Sequence, residues 1–327
     1  MLPVFNTERY VRESIDSILG QTYPNLEVLV LDDLSTDGTS EILRAYRDPR
    51  LRYVRNARRL GQFANVNAGI QLSRGDLIAI HHADDIFEPE LLSKQVEFFL
   101  RNPDVGAVFA IDVFIDAEGR EWGRLELPEE LRGCQVLPYP TVLNGILRHQ
   151  NTFIRGCQSL IPRAVYEDVG FFDDRHLLRA DLDLWLRIAR RYPLGLIEEH
   201  LLSYRFGHEN TSARYDRLRT EPDHWFAVVD RCLDEGGREF AEPDALAAFE
   251  GHRAADRLIV TVNQYILGRR ADALRTLATV SPRKILATSF VQRGRLLVLW
   301  ALLAAVVRLP RIPVIANAFM RRWGGAA

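Results

Sequence analysis

Apolar and polar positions follow two periods along the first hundred residues. Val11, Ile15, Ile18 and Leu19 recur at helical spacing after Asn6-Thr7, a pair able to cap. Leu26–Leu31 is almost unbroken in apolar character and stops at Asp32-Asp33, the pattern of a strand buried on both faces. Thr39–Tyr46 predicts a second helix, Leu51–Val54 a short strand, and Gly61–Ser73 a third helix. Leu77–Ile80 is another buried strand, closed by His81-His82-Ala83-Asp84-Asp85. This alternation specifies a mostly parallel sheet in a three-layer α/β domain. Ligands of such sheets sit beyond the carboxyl ends of the strands, where both acidic doublets fall.

After a helix over Pro89–Asn102 the periodicity weakens. Val105–Ala110 leads into a hairpin around Asp116–Gly119, and a Pro-rich stretch covers 128–140. A strand over 157–161, a helix over Asp181–Arg191 and a strand over 194–205 follow, which complete the sheet and build an acceptor side. From about residue 215 the pattern is helical, without repeats or low-complexity tracts. The aliphatic run 296–307 would form a helix of about 18 Å at ~1.5 Å per residue, too short for a hydrocarbon core of roughly 30 Å. It reads either as a buried packing helix or as an interfacial one flanked by arginines.

Composition sharpens this picture in two places. With 327 residues, 47% of them hydrophobic and 26% charged, the chain is globular, and its three cysteines (Cys134, Cys157, Cys232) are expected to be free core thiols in a reducing compartment. The net charge of −2 conceals a separation: residues 282–327 carry eight basic side chains and no acid, which leaves −10 on residues 1–281. Such a tail suits an anionic membrane surface; it lacks the interleaved aromatics of a nucleic-acid binder, and no nucleic-acid partner is expected. No basic n-region with an apolar run precedes the fold, so a cytoplasmic location is expected, at most peripheral on the inner face of the cell membrane. Only Met1 and Leu2 precede Pro3, so either the true start is expected upstream, the preferred reading, or the first strand is a stub.

Several ordered blocks carry a resemblance. They are Pro3-Val4-Phe5-Asn6, then Asp32-Asp33-Leu34-Ser35-Thr36-Asp37-Gly38-Thr39, then Asn56 with Gly61, Asn65, Asn67 and Gly69, then Gly75-Asp76. His82-Ala83-Asp84-Asp85, Val169–Asp173 and Asp181-Leu182-Asp183-Leu184-Trp185 follow. In this order and spacing the chain resembles the family 2 glycosyltransferases of GT-A fold over about residues 1–212. The resemblance implies a nucleotide-sugar-binding half (1–110), an acceptor-side half (111–212) and a helical C-terminal region (213–327) outside it.

It further implies inverting transfer from a nucleotide-diphosphate sugar to a saccharide or lipid-linked acceptor, with Mg2+ or Mn2+ as cofactor. Asp84 is the expected metal ligand and His208 a second one. Asp33, or alternatively Asp32, is expected at the nucleotide base, with Pro3 and Phe5 lining its pocket; Gln62 and Asn65 belong to the same donor side. His82 stands where the family has Asp, which removes one negative charge but leaves a donor for ribose or metal. Arg205 is expected at the diphosphate. Asp181 is the expected base; Asp183 lies about 200° round a helix from it, so the two cannot face one substrate equally. Ala180 replaces a Glu common in the family, and Trp185 and Leu186 read as core.

Rival readings are weaker. A nucleotidyltransferase would begin with a Gly-rich basic loop, and a dinucleotide oxidoreductase needs Gly-x-Gly-x-x-Gly after its first strand; neither is present. A catalytically degenerate nucleotide-sugar-binding or scaffolding protein is the alternative that His82 and Ala180 support.

Overall fold

The computed structural model describes residues 1–155, 159–207, 218–286, 290–309, 312–314 and 317. The chain divides into two compact units, Met1–His208 and Glu209–Ala327.

In the first unit β1 (Leu2–Val4), β2 (Val28–Asp32) and β3 (Leu51–Arg55) form a parallel sheet, and every residue of β2 is buried, as its apolar run requires. α1 (Val11–Leu19) and α2 (Thr39–Ala45) connect these strands, and α3 (Gln62–Leu72) follows β3. The register sets Val4 beside Asp32 and Asp32 beside Arg55. α1 starts by other means than the expected cap: the Thr7 carbonyl accepts from the Tyr10 and Val11 amides. The Asn6 side chain accepts instead from the Thr36 amide at 2.8 Å, with Asn6 itself in the left-handed region at φ 52°.

A second, mixed sheet contains β4 (Leu77–Ala79), β5 (Ile86–Phe87), β6 (Ala107–Ile115), β7 (Glu121–Arg124), β8 (Val136–Leu137), β9 (Leu160–Pro162) and β10 (Leu194–Arg205). Its order is β4-β9-β6-β10-β5, with β7 on β6 and β8 on β10. The two sheets meet through Met1, whose amine donates to the Ala79 carbonyl and whose carbonyl accepts from the His81 amide at 3.0 Å. α4 (Leu91–Arg101), α5 (Tyr139–His149), α6 (Arg163–Val169) and α7 (Ala180–Ala189) cover the sheet. Sequence periodicity misses α5 and α6. Each follows a proline N-cap, Pro138 and Pro162 respectively, and the prolines read as irregular chain when they open helices. Trp185 and Leu186 are core, Trp185 meeting Phe109 edge-on at 5.0 Å.

In the second unit α8 (His224–Asp234) packs through Trp225 and Phe226 on Phe249 of α9 (Pro243–Ile266), and α9, α10 (Arg270–Ala278), α11 (Pro282–Ile285) and α12 (Phe290–Val306) share a core that includes Leu258, Val262, Ala273, Leu303 and Val307. Leu299, Leu303 and Val307, spaced by four, form the buried side of α12, so the packing reading of this run holds. Its other side leaves Val298 60% and Leu302 48% exposed. Among the described residues no helix is long and apolar enough to cross a membrane. The thiols do not all conform: Cys232 is buried, Cys134 is exposed, and Cys157 lies outside the described residues. Cys134 follows a 3-10 turn on the surface, where its neighbours give no apolar cover.

Candidate active site

β2 ends in the first acidic doublet, and its two carboxylates do different work. Asp32 is fully buried and accepts from the Ser35 amide (2.7 Å), the Ser40 hydroxyl (2.7 Å) and the Tyr53 hydroxyl (2.6 Å). These bonds hold its carboxyl below the ordinary range although burial opposes them. Asp32 therefore ties β2 to α2 and β3. Asp33 accepts from the Leu60 amide (2.7 Å), the Gly61 amide (2.9 Å) and the Asn56 amide group (3.0 Å). Gly61 can turn its N–H there because it sits at φ 90°, a conformation that other residues rarely adopt. Asn65 links the same region, accepting from Asn56 and donating to the Leu31 carbonyl.

Arg59 is a residue that the sequence reading passed over. Its guanidinium lies 3.2 Å from the centroid of Phe5, and its Nε is 3.7 Å from Asp33. Phe5, Asp33 and Arg59 thus meet at the carboxyl ends of β1 and β2; Pro3 lies within β1 beside Leu31, and the exposed Gln62 starts α3. The signal available in sequence was only a basic Arg58-Arg59 pair before Gly61.

The second doublet follows β4. The ligating atoms of His82, Asp84 and Asp85 lie within 4.8 Å of one another. Two carboxylates and an imidazole offer the hard oxygen and borderline nitrogen donors that a divalent cation takes. His82 Nδ1 is 3.6 Å from Asp85, and Asp85, buried, accepts from the Arg205 amide at 2.9 Å. Arg205, expected at the diphosphate, is almost wholly buried and engaged by protein acceptors. Its guanidinium donates to the Asp84 carbonyl (2.8 Å), Glu13 (2.6 Å) and the Asp116 carbonyl (3.2 Å). It also lies over Tyr10 at 4.7 Å. The last residue of β10 thus holds the 82–85 loop in place, and Tyr10 and Glu13 of the α1 region complete the arrangement. His208 lies outside the described residues.

Asp181 opens α7, accepts from the Leu182 amide at 2.7 Å and has its pKa raised by burial. The charges of Arg179 and His82 act on it in the opposite direction. Asp183, buried, turns the other way: it accepts from Arg187 Nε at 2.9 Å, and Arg187 donates to the carbonyls of Val169, Gly170 and Phe171. Asp183 therefore braces the Val169–Asp173 block. Asn67 joins that block to α3, exchanging two hydrogen bonds with the Phe172 backbone.

A parallel α/β half with an acidic doublet at the end of β2, joined to a mixed half that supplies a second doublet after β4 and a carboxylate at a helix start, defines a GT-A glycosyltransferase. The sequence model of the family described as "Glycosyl transferase family 2" matches residues 1–170, and the chain belongs to this family. An uncharacterized glycosyltransferase of Methanocaldococcus jannaschii is 30% identical over 228 residues, 67% of this chain and 75% of that protein. One of Rickettsia felis is 31% identical over 225 residues, 68% of this chain but only 36% of that protein. Among solved structures, S. aureus TarS 1–349 in complex with UDP-GlcNAc superposes with a TM-score of 0.60 at 16% identity, covering 98% of this chain and 90% of that one. The mannosyltransferase PcManGT from Pyrobaculum calidifontis, in complex with GDP-Man and Mn2+, gives 0.53 at 20% identity, covering 99% and 86%.

Proposed function

We propose that this glycosyltransferase is metal-dependent and inverting, and that it moves a sugar from a nucleotide-diphosphate donor to a hydroxyl of a saccharide or lipid-linked acceptor in cell-surface polysaccharide or glycolipid synthesis. The observation that carries this reading is the His82–Asp84–Asp85 group, whose ligating atoms lie within 4.8 Å of one another; Asp181, at the start of α7, is the carboxylate we assign as the base. Asp84 and His82 would hold Mg2+ or Mn2+, with His208 as a further ligand, and the imidazole in the set favours Mn2+. The cation supplies charge neutralisation for a departing diphosphate. Pro3 and Phe5 line the base pocket, Asp33 and the more deeply buried Asp32 shape its floor, and Gln62 and Asn65 complete the donor side. Arg205 and Asp183 position the loops on either side of the reacting atoms. Asp181 takes the proton from the acceptor hydroxyl as that oxygen attacks the anomeric carbon. The bond from that carbon to the diphosphate oxygen breaks, and its electron pair leaves with the nucleoside diphosphate. We also read residues 282–327 as a peripheral contact with an anionic membrane, supported by the exposed Val298 and Leu302 and by the tail's charge.

The test is a panel of uridine, guanosine and thymidine diphosphate sugars with Mn2+, Mg2+ or chelator, scored by released nucleoside diphosphate. Release from one donor that chelator abolishes is expected. A donor that binds without turnover under every metal would leave a binding protein in place of an enzyme.

A further inference from the structure

The hairpin of β6 and β7 carries a group of aromatic rings that neither the donor side nor the cation site uses. Phe114 on β6 stacks on Trp122 of β7, centroids 5.4 Å apart and planes at 29°. Phe206, just after β10, meets Phe114 at 5.5 Å and Trp122 at 5.6 Å, edge-on to both. Tyr204 extends the group, 4.7 Å from Phe206. Rings that contact one another in this way ordinarily close over a core, yet Trp122 is 60% exposed. Beside them the Arg155 guanidinium lies 5.5 Å from the Phe114 centroid and 5.1 Å from that of Tyr204, with Nε 3.2 Å from the buried Asp112. About a quarter of the Arg155 side chain remains exposed.

The position of these rings is fixed by the same arginine that fixes the cation loop. Arg205 donates through one nitrogen to the Asp84 carbonyl and through another to the carbonyl of Asp116 in the hairpin turn. Phe206 is the next residue, and its amide donates to the Ile115 carbonyl at 2.8 Å. The turn itself is rigid: Asp116 accepts from the Glu118 and Arg120 amides, and Gly119 supplies the positive φ of 83°. Phe206 of the exposed ring group therefore follows directly on the residue that bonds the loop carrying Asp84.

We propose that Trp122, Phe114 and Phe206 form an acceptor subsite that stacks a pyranose ring, with Arg155 donating to the sugar's hydroxyls. This rests on the glycosyltransferase reading above and names its acceptor as a saccharide. A pyranose offers a C–H face to aromatic rings and hydroxyls at its edge, and the surroundings match both. The rim is ionic, with Glu121 paired to Arg124 at 2.7 Å and Asp116 to Arg120 at 2.8 Å, each partly exposed. An alkyl chain laid across Trp122 would take those charges from water without replacing their hydrogen bonds, whereas sugar hydroxyls replace them.

Saturation-transfer NMR on the full chain, with no donor present, tests the subsite. The probes are methyl hexopyranosides, their 1,4-linked disaccharides and decyl phosphate. Ring C–H protons of at least one sugar are expected to saturate, with the signal falling about tenfold or more in Trp122→Ala and persisting in Trp122→Tyr. In transfer assays with that sugar, Trp122→Ala should raise the acceptor KM by a similar factor and leave the donor KM unchanged. Equal saturation in Trp122→Ala, saturation of decyl phosphate alone, or none across the panel overturns the subsite. Since sugar binding is read without donor and donor turnover is read without acceptor, failure of this proposal and failure of the enzyme reading are separate results.

Discussion

Asp32, Asp33, Asp181 and Asp183 are four carboxylates of one chemistry with four different surroundings. Asp32 and Asp183, both buried, each bind side chains of the protein itself, Ser40 with Tyr53 in one case and Arg187 in the other. Asp181 accepts from a local amide, that of Leu182, and has its pKa raised by burial. The sign follows from its proposed role as a base, which requires the ionised form. A raised pKa means that ionisation is lost at a higher pH than for a free carboxylate near about 3.9. The acidic limb of kcat/KM is therefore expected above about pH 4, and Asp181→Asn should remove it and lower kcat by about 10²–10⁴-fold with donor affinity retained. An unchanged rate in Asp181→Asn would move the base elsewhere. The Asp32-Asp33 motif was legible in sequence; its division of labour was not. The partners of Asp33 come from residues 56–61, and only the path of the loop after β3 brings them to it.

At the scale of elements, the continuous apolar runs placed β2 and β4, and the helical periods placed α1 to α4, within a residue or two of their ends. Those elements are local: burial on both faces or on one stripe writes itself into the pattern. α5 and α6 escaped because their starts are marked by proline, and β5 because two residues are too few for a period. Arg205 shows how much one strand end can control. Its guanidinium and amide reach β5's approach loop, α1 and the β6–β7 turn at once. Arg205→Ala is expected to lower stability by on the order of 2–3 kcal/mol, as loss of charged hydrogen bonds does. It should also weaken Mn2+ binding, followed by calorimetry. Arg205→Lys should not restore it, because an ammonium cannot serve three separated acceptors from one plane. Wild-type Mn2+ affinity in Arg205→Ala would show that the 82–85 loop holds its shape unaided.

For the whole molecule, the charge separation found in the sequence falls inside the second unit: the acidic residues 1–281 take in the whole first unit with its acidic doublets and the start of the second, and the eight basic residues of 282–327 all fall at the C-terminal end of the second unit's chain. Flotation with anionic liposomes is expected to carry the full chain, and Val298→Glu with Leu302→Glu should reduce flotation severalfold at unchanged Tm. Equal flotation of both proteins would remove the membrane contact. The sequence by itself determined the α/β class, the two carboxyl-end acidic doublets, the family and the helical character of the C-terminal region, because each is written in local period or in residues close in the chain. Only the tertiary structure decided which carboxylates are engaged, that Arg205 serves the protein's own loops, and that Phe114, Trp122 and Phe206 meet beside them. Those outcomes depend on contacts between residues some ninety to nearly two hundred positions apart, and no pattern along the chain encodes which distant group a buried charge or an exposed ring will meet.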